Sequence, residues 1–153
     1  MAITLDQQEV DDFLTNGHTV MFTCQDKDGF PHTTPLWYVY MDGHVCVRGR
    51  TGSQKDVILK RNDKVSVLVE SGERWVDLKA VMIRGRAEAI EDEETQQRYD
   101  RLMDEKYASF RQTGSKMPDR VKSHYAVRKL YYRVIPEKKL ATWDNQKIRM
   151  AAR

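Results

Sequence analysis

The sequence has little cysteine, no long apolar run and none of the glycine-rich nucleotide-binding motifs. Its two cysteines, Cys24 and Cys46, form no Cys-x-x-Cys pair and both fall within predicted strands. We therefore expect buried, reduced thiols rather than a disulfide framework. No apolar run reaches the roughly 18 residues that a membrane-spanning helix needs. Without a GxGxxG or Walker loop, a Rossmann or P-loop nucleotide enzyme is disfavoured.

The sequence also lacks the spacings that identify metal ligands or a catalytic nucleophile. The four histidines do not follow a zinc-ligand pattern, although a haem ligand among them stays an open alternative. No serine or cysteine lies in a recognisable nucleophile elbow, and the paired carboxylates are typical of solvated helix surfaces. We accordingly predict no metal site and assign no catalytic residue. The histidines are His18, His32, His44 and His124.

The length of the chain indicates one globular domain, and its charge bears on the class of ligand. The chain has 153 residues, and we expect a single domain over residues 1–153. The net charge of +3 and the pI of about 8.8 are too mild to indicate nucleic acid by themselves, and they suit an anionic ligand as well as an anionic polymer. Because the positive charge is concentrated compactly at residues 48–61 rather than along a groove, we expect no nucleic-acid partner. The N-terminal "MAITLDQQEV" is unlike a signal peptide, so we expect a cytoplasmic protein with no membrane partner.

Apolar periodicity predicts seven strands and three helices. Helices are expected over residues 4–16, 54–61 and 91–110, with Thr4 capping the first. Residues 111–128 are polar and are predicted to form a loop with at most one helical turn. Tight turns with Asp-Gly at 28–29 and 42–43 predict hairpins. The strands are expected at 18–25, 30–41, 44–50, 64–70, 77–90, 129–136 and 138–144.

The second strand is apolar on both faces, so we expect it to be covered on both sides. Pro31 and Pro35 cannot donate to a sheet ladder, which predicts an edge or a bulge in its first half. Its aromatic residues, Trp37, Tyr38 and Tyr40, favour packing or a subunit interface over stacking against a planar ligand. Antiparallel strands in this number tend to close into a barrel. The predicted class is mainly β with α (α+β).

The stretch "VRGRTGSQKDVILKR", residues 47–61, concentrates positive charge between a strand and a helix. Its five basic side chains and one acidic side chain give +4, more than the whole chain carries. Ser53 and Asp56 have the spacing of a capping box, and a helix start attracts phosphate through its free N–H groups and dipole. Lys55 opposes that dipole, so another reason for its presence is expected. Charge alone leaves a solvated turn and an anion site equally plausible.

Several segments together resemble the flavin/deazaflavin split-barrel oxidoreductases, the pyridoxamine 5'-phosphate oxidase-like proteins. They are "DGFPHTTPLWYVYMDGHVCVRGRTGSQKDVILKRNDKVSVLVE", "LKAVMIRGRAEAI" and "TWDNQKI". The resemblance covers roughly residues 10–148. It implies an antiparallel six- to seven-stranded split β-barrel with a short N-terminal helix, one inserted short helix and one long amphipathic helix. It also implies a homodimer with two cofactors in clefts at the subunit interface.

The resemblance further implies which residues hold the cofactor, either FMN or the deazaflavin F420. Its phosphate would contact residues of the third strand and of the following helix start: Arg48, Arg50, Thr51, Ser53 and Lys55. Its ring would lie against the backbone near Pro35, Leu36 and Trp37. Trp143 would lie close to the cleft and reach toward the partner's cofactor.

The implied activity is hydride transfer between the cofactor and a small planar conjugated substrate. Ile58 and Leu59 stand where many relatives have Asn-Leu. The C-terminal "NQKIRMAAR" does not reproduce the arginine-rich substrate motif of a true pyridoxamine phosphate oxidase, so we do not expect vitamin B6 chemistry. The alternative is a non-enzymatic haem- or biliverdin-related binding protein on the same barrel.

Overall fold

The computed structural model describes residues 3–111 and 118–151 and contains eight strands in that part of the chain. The extra strand arises because the predicted second strand is broken at Trp37. All pairings are antiparallel. The strands are β1 Val20–Gln25, β2 Pro31–Leu36, β3 Tyr38–Met41, β4 His44–Arg50, β5 Lys64–Ser71, β6 Lys79–Ala89, β7 Lys129–Pro136 and β8 Ala141–Asp144.

The order of the sheet, β2-β1-β5-β6-β7-β4-β3, places β2 and β3 at opposite ends, and β8 pairs with β6 off this path. Yet β2 and β3 are joined by the single residue Trp37. The two ends of the sheet must therefore meet, which requires the sheet to curl into a split barrel. This confirms the predicted fold class. The edge position of β2 also confirms the prediction made from Pro31 and Pro35.

Alternating side chains fill the barrel interior. Val65, Val67 and Val69 of β5 point inward as predicted and are at most 6% exposed. A second apolar cluster lies between β3–β4 and the long helix. Strand β3 is therefore covered on both faces, as predicted. The prediction is wrong for β2, whose residues alternate between exposed and half-buried because it lies at the end of the sheet. Cys24 and Cys46 are buried and are not bonded to each other.

The helices largely follow the prediction, with differences at their ends. They are α1 Gln7–Asn16, α2 Gln54–Arg61, α3 Glu93–Tyr107, α4 Asp119–Tyr125 and α5 Gln146–Ala151, with 3₁₀ turns at Trp75–Asp77 and Ala108–Phe110. The predicted bounds of α2 are confirmed. Helix α5 and the turn at Trp75 were not predicted. The loop predicted over residues 111–128 is wrong at Asp119–Tyr125, because the seven residues of α4 are more than the single helical turn expected there. Residues 112–117 of the predicted loop lie outside the described residues. No helix in the described part of the chain has the length and apolarity to cross a membrane.

The predicted N-cap of α1 is wrong. Asp6, not Thr4, caps the helix: its carboxylate accepts from the Glu9 backbone N–H at 2.9 Å, and Glu9 accepts from the Asp6 N–H at 2.8 Å. Thr4 and Gln7 have the right spacing, but an aspartate two residues later forms the reciprocal pair. Gly17 ends the helix with φ −64°. Its role is close packing, because a Cβ there would lie 2.3 Å from the Tyr38 hydroxyl oxygen.

The crossing from β2 to β3 is fixed by the hydroxyl of Tyr107 on α3. This hydroxyl accepts from the Tyr38 backbone N–H at 3.0 Å. It donates its single proton to the His18 carbonyl at 2.7 Å, and its oxygen also lies 3.0 Å from the Tyr38 carbonyl. The ring of Trp37 stacks on the Tyr107 ring, with centroids 4.3 Å apart and planes 6° from parallel. One buried side chain thus holds the broken backbone and the side chain at the break.

Tyr107→Phe should lower the free energy of unfolding by about 2 kcal/mol, because the Tyr38 N–H and the His18 carbonyl lose a buried partner. Urea unfolding followed by far-ultraviolet circular dichroism measures this loss. Tyr99→Phe is the matched control: Tyr99 is fully buried on the same helix, and its hydroxyl has no hydrogen-bond partner within the described chain. Equal losses in the two variants would show that the Tyr107 hydrogen bonds are not the cause.

Candidate functional site

The charged stretch folds as a strand, a tight turn and a capped helix. Gly52, at φ 78°, reverses the chain after β4. Ser53 then caps α2, its hydroxyl accepting from the Asp56 N–H at 3.2 Å. The Asp56 carboxylate reaches back to the Gly52 N–H at 2.7 Å and accepts from Lys60 at 3.0 Å. The predicted serine cap is present, but the reciprocal bond goes one residue further back than in a capping box.

Asp56 is 2% exposed, and its contacts favour the ionised form. Burial alone raises the pKa of this carboxyl, but the hydrogen bonds from Gly52 and Lys60 outweigh it, so the pKa is lowered overall. A charged Asp56 keeps the turn closed at neutral pH. Asp56 therefore serves the structure of the helix start.

Lys55 is the unusual residue of this segment. It is 8% exposed, and its Nζ lies 5.7 Å from the centre of the Phe22 ring. Within residues 3–111 and 118–151, its ammonium group makes no salt bridge. Burial lowers the pKa of Lys55; the nearby Cys24 opposes this in part and Arg50 adds to it, and the pKa is lowered overall. A buried ammonium without a carboxylate is costly, and an anionic ligand would relieve that cost.

Lys55 opens into a cleft of about 510 Å³ between β2 on one side and β4 with the start of α2 on the other. This volume lies within the range of small-molecule sites. None of the described residues that line it is acidic, and four are basic: Arg48, Arg50, Lys55 and Lys129. The electrostatic character of the cleft therefore favours an anion.

Arg48 projects from β4 into this cleft and is held from the side by α3. Its Nη1 lies 2.6 Å from one carboxylate oxygen of Asp100, whose other oxygen accepts from the Tyr131 hydroxyl at 2.8 Å. The guanidinium is therefore fixed rather than free in solvent.

Six of the nine residues predicted for the site line the cleft together: Pro35, Leu36, Arg48, Arg50, Ser53 and Lys55. The other three are placed differently. The Thr51 hydroxyl donates to the Arg128 carbonyl at 3.0 Å, and Trp37 stacks on Tyr107. Trp143 lies on β8, opposite Ala80 of β6. A ligand-binding role for all nine stays a prediction.

Sequence reasoning missed several residues of the cleft. Lys129 comes opposite Arg50 only through the pairing of β4 with β7, strands that are distant in sequence, so no local pattern could have found it. His32 and Thr34 also line the cleft. Because alternate residues of a strand share a face, counting back by twos from the predicted Leu36 was a usable signal for both. The Thr34 hydroxyl is buried and lacks a hydrogen-bond partner in the described structure.

A separate cavity of about 380 Å³ lies among β1, β5 and β6 and shares no lining residue with the cleft. Its charged lining residues, Lys64, Arg84, Glu137 and Lys138, are all exposed. It holds no buried unpaired charge in the part of the chain described, so we take the cleft at Lys55 as the candidate site. No cluster of three His, Cys, Asp or Glu side chains that could hold a metal occurs among the described residues.

Comparisons with known proteins bear on the family and the fold of this chain. Residues 6–133 match the family described as Pyridoxamine 5'-phosphate oxidase. No curated protein matches the chain. Among solved structures, the conserved hypothetical protein Rv2991 from Mycobacterium tuberculosis is 27% identical, with a TM-score of 0.81. That comparison covers 97% of this chain and 91% of that one.

Two other solved structures share the fold. An F420 reductase is 18% identical with a TM-score of 0.62, over 86% of this chain and 94% of that one. The heme storage protein HutZ from Vibrio cholerae is 16% identical with a TM-score of 0.68, over 92% and 97%. At these identities the likeness concerns the fold, which carries different ligands in different proteins. The family match covers most of the sequence, and this chain therefore belongs to the pyridoxamine 5'-phosphate oxidase family of split-barrel proteins, as the resemblance predicted.

Proposed function

We propose that this protein binds a phosphate-bearing flavin-type cofactor, FMN or F420, in the cleft at Lys55. With it, the protein transfers hydride to or from a small planar conjugated substrate. The observation that carries the proposal is the buried Lys55 ammonium, which has no carboxylate partner in the described structure and lies beside the start of α2. Family membership supports the flavin class.

The cleft fits a phosphate group in three ways. Lys55 supplies a positive charge at its wall. The Ser53 hydroxyl accepts from the Asp56 N–H, which leaves its own proton to donate to a phosphate oxygen. With the Asp56 N–H taken by Ser53, the N–H groups of Gln54 and Lys55 at the start of α2 have no acceptor within the helix and can bind an anion there. Gln54 at the first position of α2 also lines the cleft.

The β2 wall fits a planar ring. Leu36 offers an apolar surface. Within the described residues, β2 is hydrogen-bonded only to β1, because it lies at the end of the sheet. Backbone groups on its other side are therefore available to ring heteroatoms, except at Pro35, which has no N–H. The ring and phosphate would thus contact opposite ends of one cleft.

The bound cofactor supplies the hydride chemistry, and the protein supplies binding and orientation. We assign no side chain as acid or base. We also propose a homodimer in which a second copy covers the cleft, as the family resemblance implies. The substrate would then stack on the face of the ring that β2 leaves open.

The direct test is the absorbance spectrum of the purified protein after addition of FMN, F420 or haem, each followed by gel filtration. We expect FMN or F420 to stay bound and to be reduced or oxidised by a conjugated substrate. Retention of haem alone, with a Soret band that a histidine substitution removes, would favour the haem-binding alternative. Retention of none of the three would refute the proposal.

Lys55→Ala should weaken FMN binding about 30-fold, the scale of one lost charge-assisted hydrogen bond, while riboflavin, which has the same ring without phosphate, binds almost unchanged. Fluorescence titration of the flavin measures both affinities, and the same comparison applies to F420 and its phosphate-free fragment. Arg61→Ala is the control, since Arg61 is an exposed cation on the same helix outside the cleft. Full FMN affinity in the Lys55 variant would remove Lys55 as the phosphate anchor.

The affinity for FMN relative to riboflavin should fall as the pH rises. Only protonated Lys55 attracts the phosphate, and burial holds its pKa below the ordinary 10.5. Raising the pH through that lowered pKa removes the charge from the free protein, and the ratio then falls by up to about tenfold per pH unit. Titrations from pH 7 upward measure this ratio. Lys55→Arg, which stays charged, should give a flat profile; a parallel decline in both proteins would contradict the assignment.

A further inference from the structure

The Arg48 contact described above is part of a three-residue network that joins three elements. Arg48 of β4 and Tyr131 of β7 are paired directly across the sheet, so their side chains project from the same face. Asp100 of α3 lies over that face and accepts from both, one carboxylate oxygen receiving Arg48 at 2.6 Å and the other Tyr131 at 2.8 Å. The Tyr131 ring is also held edge-on by Tyr99, with centroids 5.4 Å apart.

The network is more sheltered than an ordinary surface ion pair. Tyr131 is 8% exposed, and the side chains of Arg48 and Asp100 are 29% and 35% exposed. Burial raises the pKa of Tyr131, and its bond to Asp100 raises it further. The phenol therefore remains a donor and keeps one carboxylate oxygen fixed. This leaves the second oxygen oriented toward Arg48.

We propose that Asp100 is a positioning residue for the cofactor cleft: together with Tyr131 it holds the Arg48 guanidinium against the cleft wall so that its remaining N–H groups face the ligand phosphate. This inference rests on the proposed function. A guanidinium has five N–H donors, and Asp100 receives one of them at Nη1. The Tyr131 side chain is also hydrogen-bonded to Arg48, and the donors that remain stay available to an anion. Fixing a flexible arginine before binding removes part of the entropy cost that the ligand would otherwise bear.

The same carboxylate connects α3 to ligand binding. Helix α3 also carries Tyr107, which fixes the crossing between β2 and β3. The wall formed by β2 and the wall formed by β4 are therefore both tied to α3, at Tyr107 and at Asp100. Asp100 acts through Arg48, and its effect should disappear when Arg48 is absent.

The test is a double-mutant cycle on the full chain, with FMN and riboflavin as probes. Asp100→Asn should weaken FMN binding about tenfold, within the range of coupling between networked charges, and leave riboflavin affinity unchanged. In the Arg48→Ala background the same substitution should have no further effect on FMN. Tyr131→Phe should give a smaller loss in the same direction. If F420 is the ligand, F420 and its phosphate-free fragment replace the two flavins.

Asp104→Asn is the matched control, because it removes the same charge from the same helix. Asp104 pairs with Arg111 at 2.7 Å, not with Arg48, and its side chain is 68% exposed. It should leave both affinities unchanged. Equal weakening of FMN and riboflavin by Asp100→Asn would show a structural role and overturn the inference, as would tighter or unchanged FMN binding. Failure of the unaltered protein to bind either FMN or F420 would instead refute the proposed function, so the two failures are distinct.

Discussion

The hydroxyl of Tyr107 is the contact on which the rest of this structure depends. The chain passes from one end of the sheet to the other through the single residue Trp37, and a strand broken there leaves its backbone groups without sheet partners. Tyr107 supplies a partner to the Tyr38 N–H, and its oxygen lies within hydrogen-bond distance of the Tyr38 and His18 carbonyls. Because the Tyr38 groups are buried and the His18 carbonyl is partly buried, losing this contact would cost more than forming it gains. The curl of the sheet is therefore fixed at one point by α3.

That crossing also determines where a cleft can form. Strand β3 pairs with β4, so leading the chain directly from β2 into β3 brings β2 close to β4. In the described part of the chain the two strands are not hydrogen-bonded to each other, and the space between them is the cleft that Lys55 enters. A closed barrel would have filled this gap with ladder hydrogen bonds. The break at Trp37 thus produces both the split barrel and an exposed backbone edge on the cleft wall.

Local sequence patterns predicted most elements, because alternation and capping are local properties. The bounds of α2 and the inward valines of β5 are examples. The break at Trp37 was missed, since both sides of it are apolar and extended, and only the partnering with Tyr107 separates them. Predicted residues of the cleft came from one segment, 48–55, and from Pro35 and Leu36. Lys129 reaches the same region through strand pairing, and Asp100 reaches it through the packing of α3. Neither contact can be predicted from the spacing of residues that are close in sequence.

Two of the basic side chains that line the cleft, Arg48 and Lys55, differ in whether a carboxylate balances their charge. Arg48 has its charge balanced by Asp100 and is half-sheltered, so its cost of burial is met within the chain. Lys55 is more deeply buried and receives no such balance from the described residues, although Asp56 stands next to it in sequence. Asp56 is directed instead toward Gly52 and Lys60. An ammonium kept buried beside a carboxylate that faces away is unfavourable for the protein alone, and it becomes favourable when an external anion completes the pair.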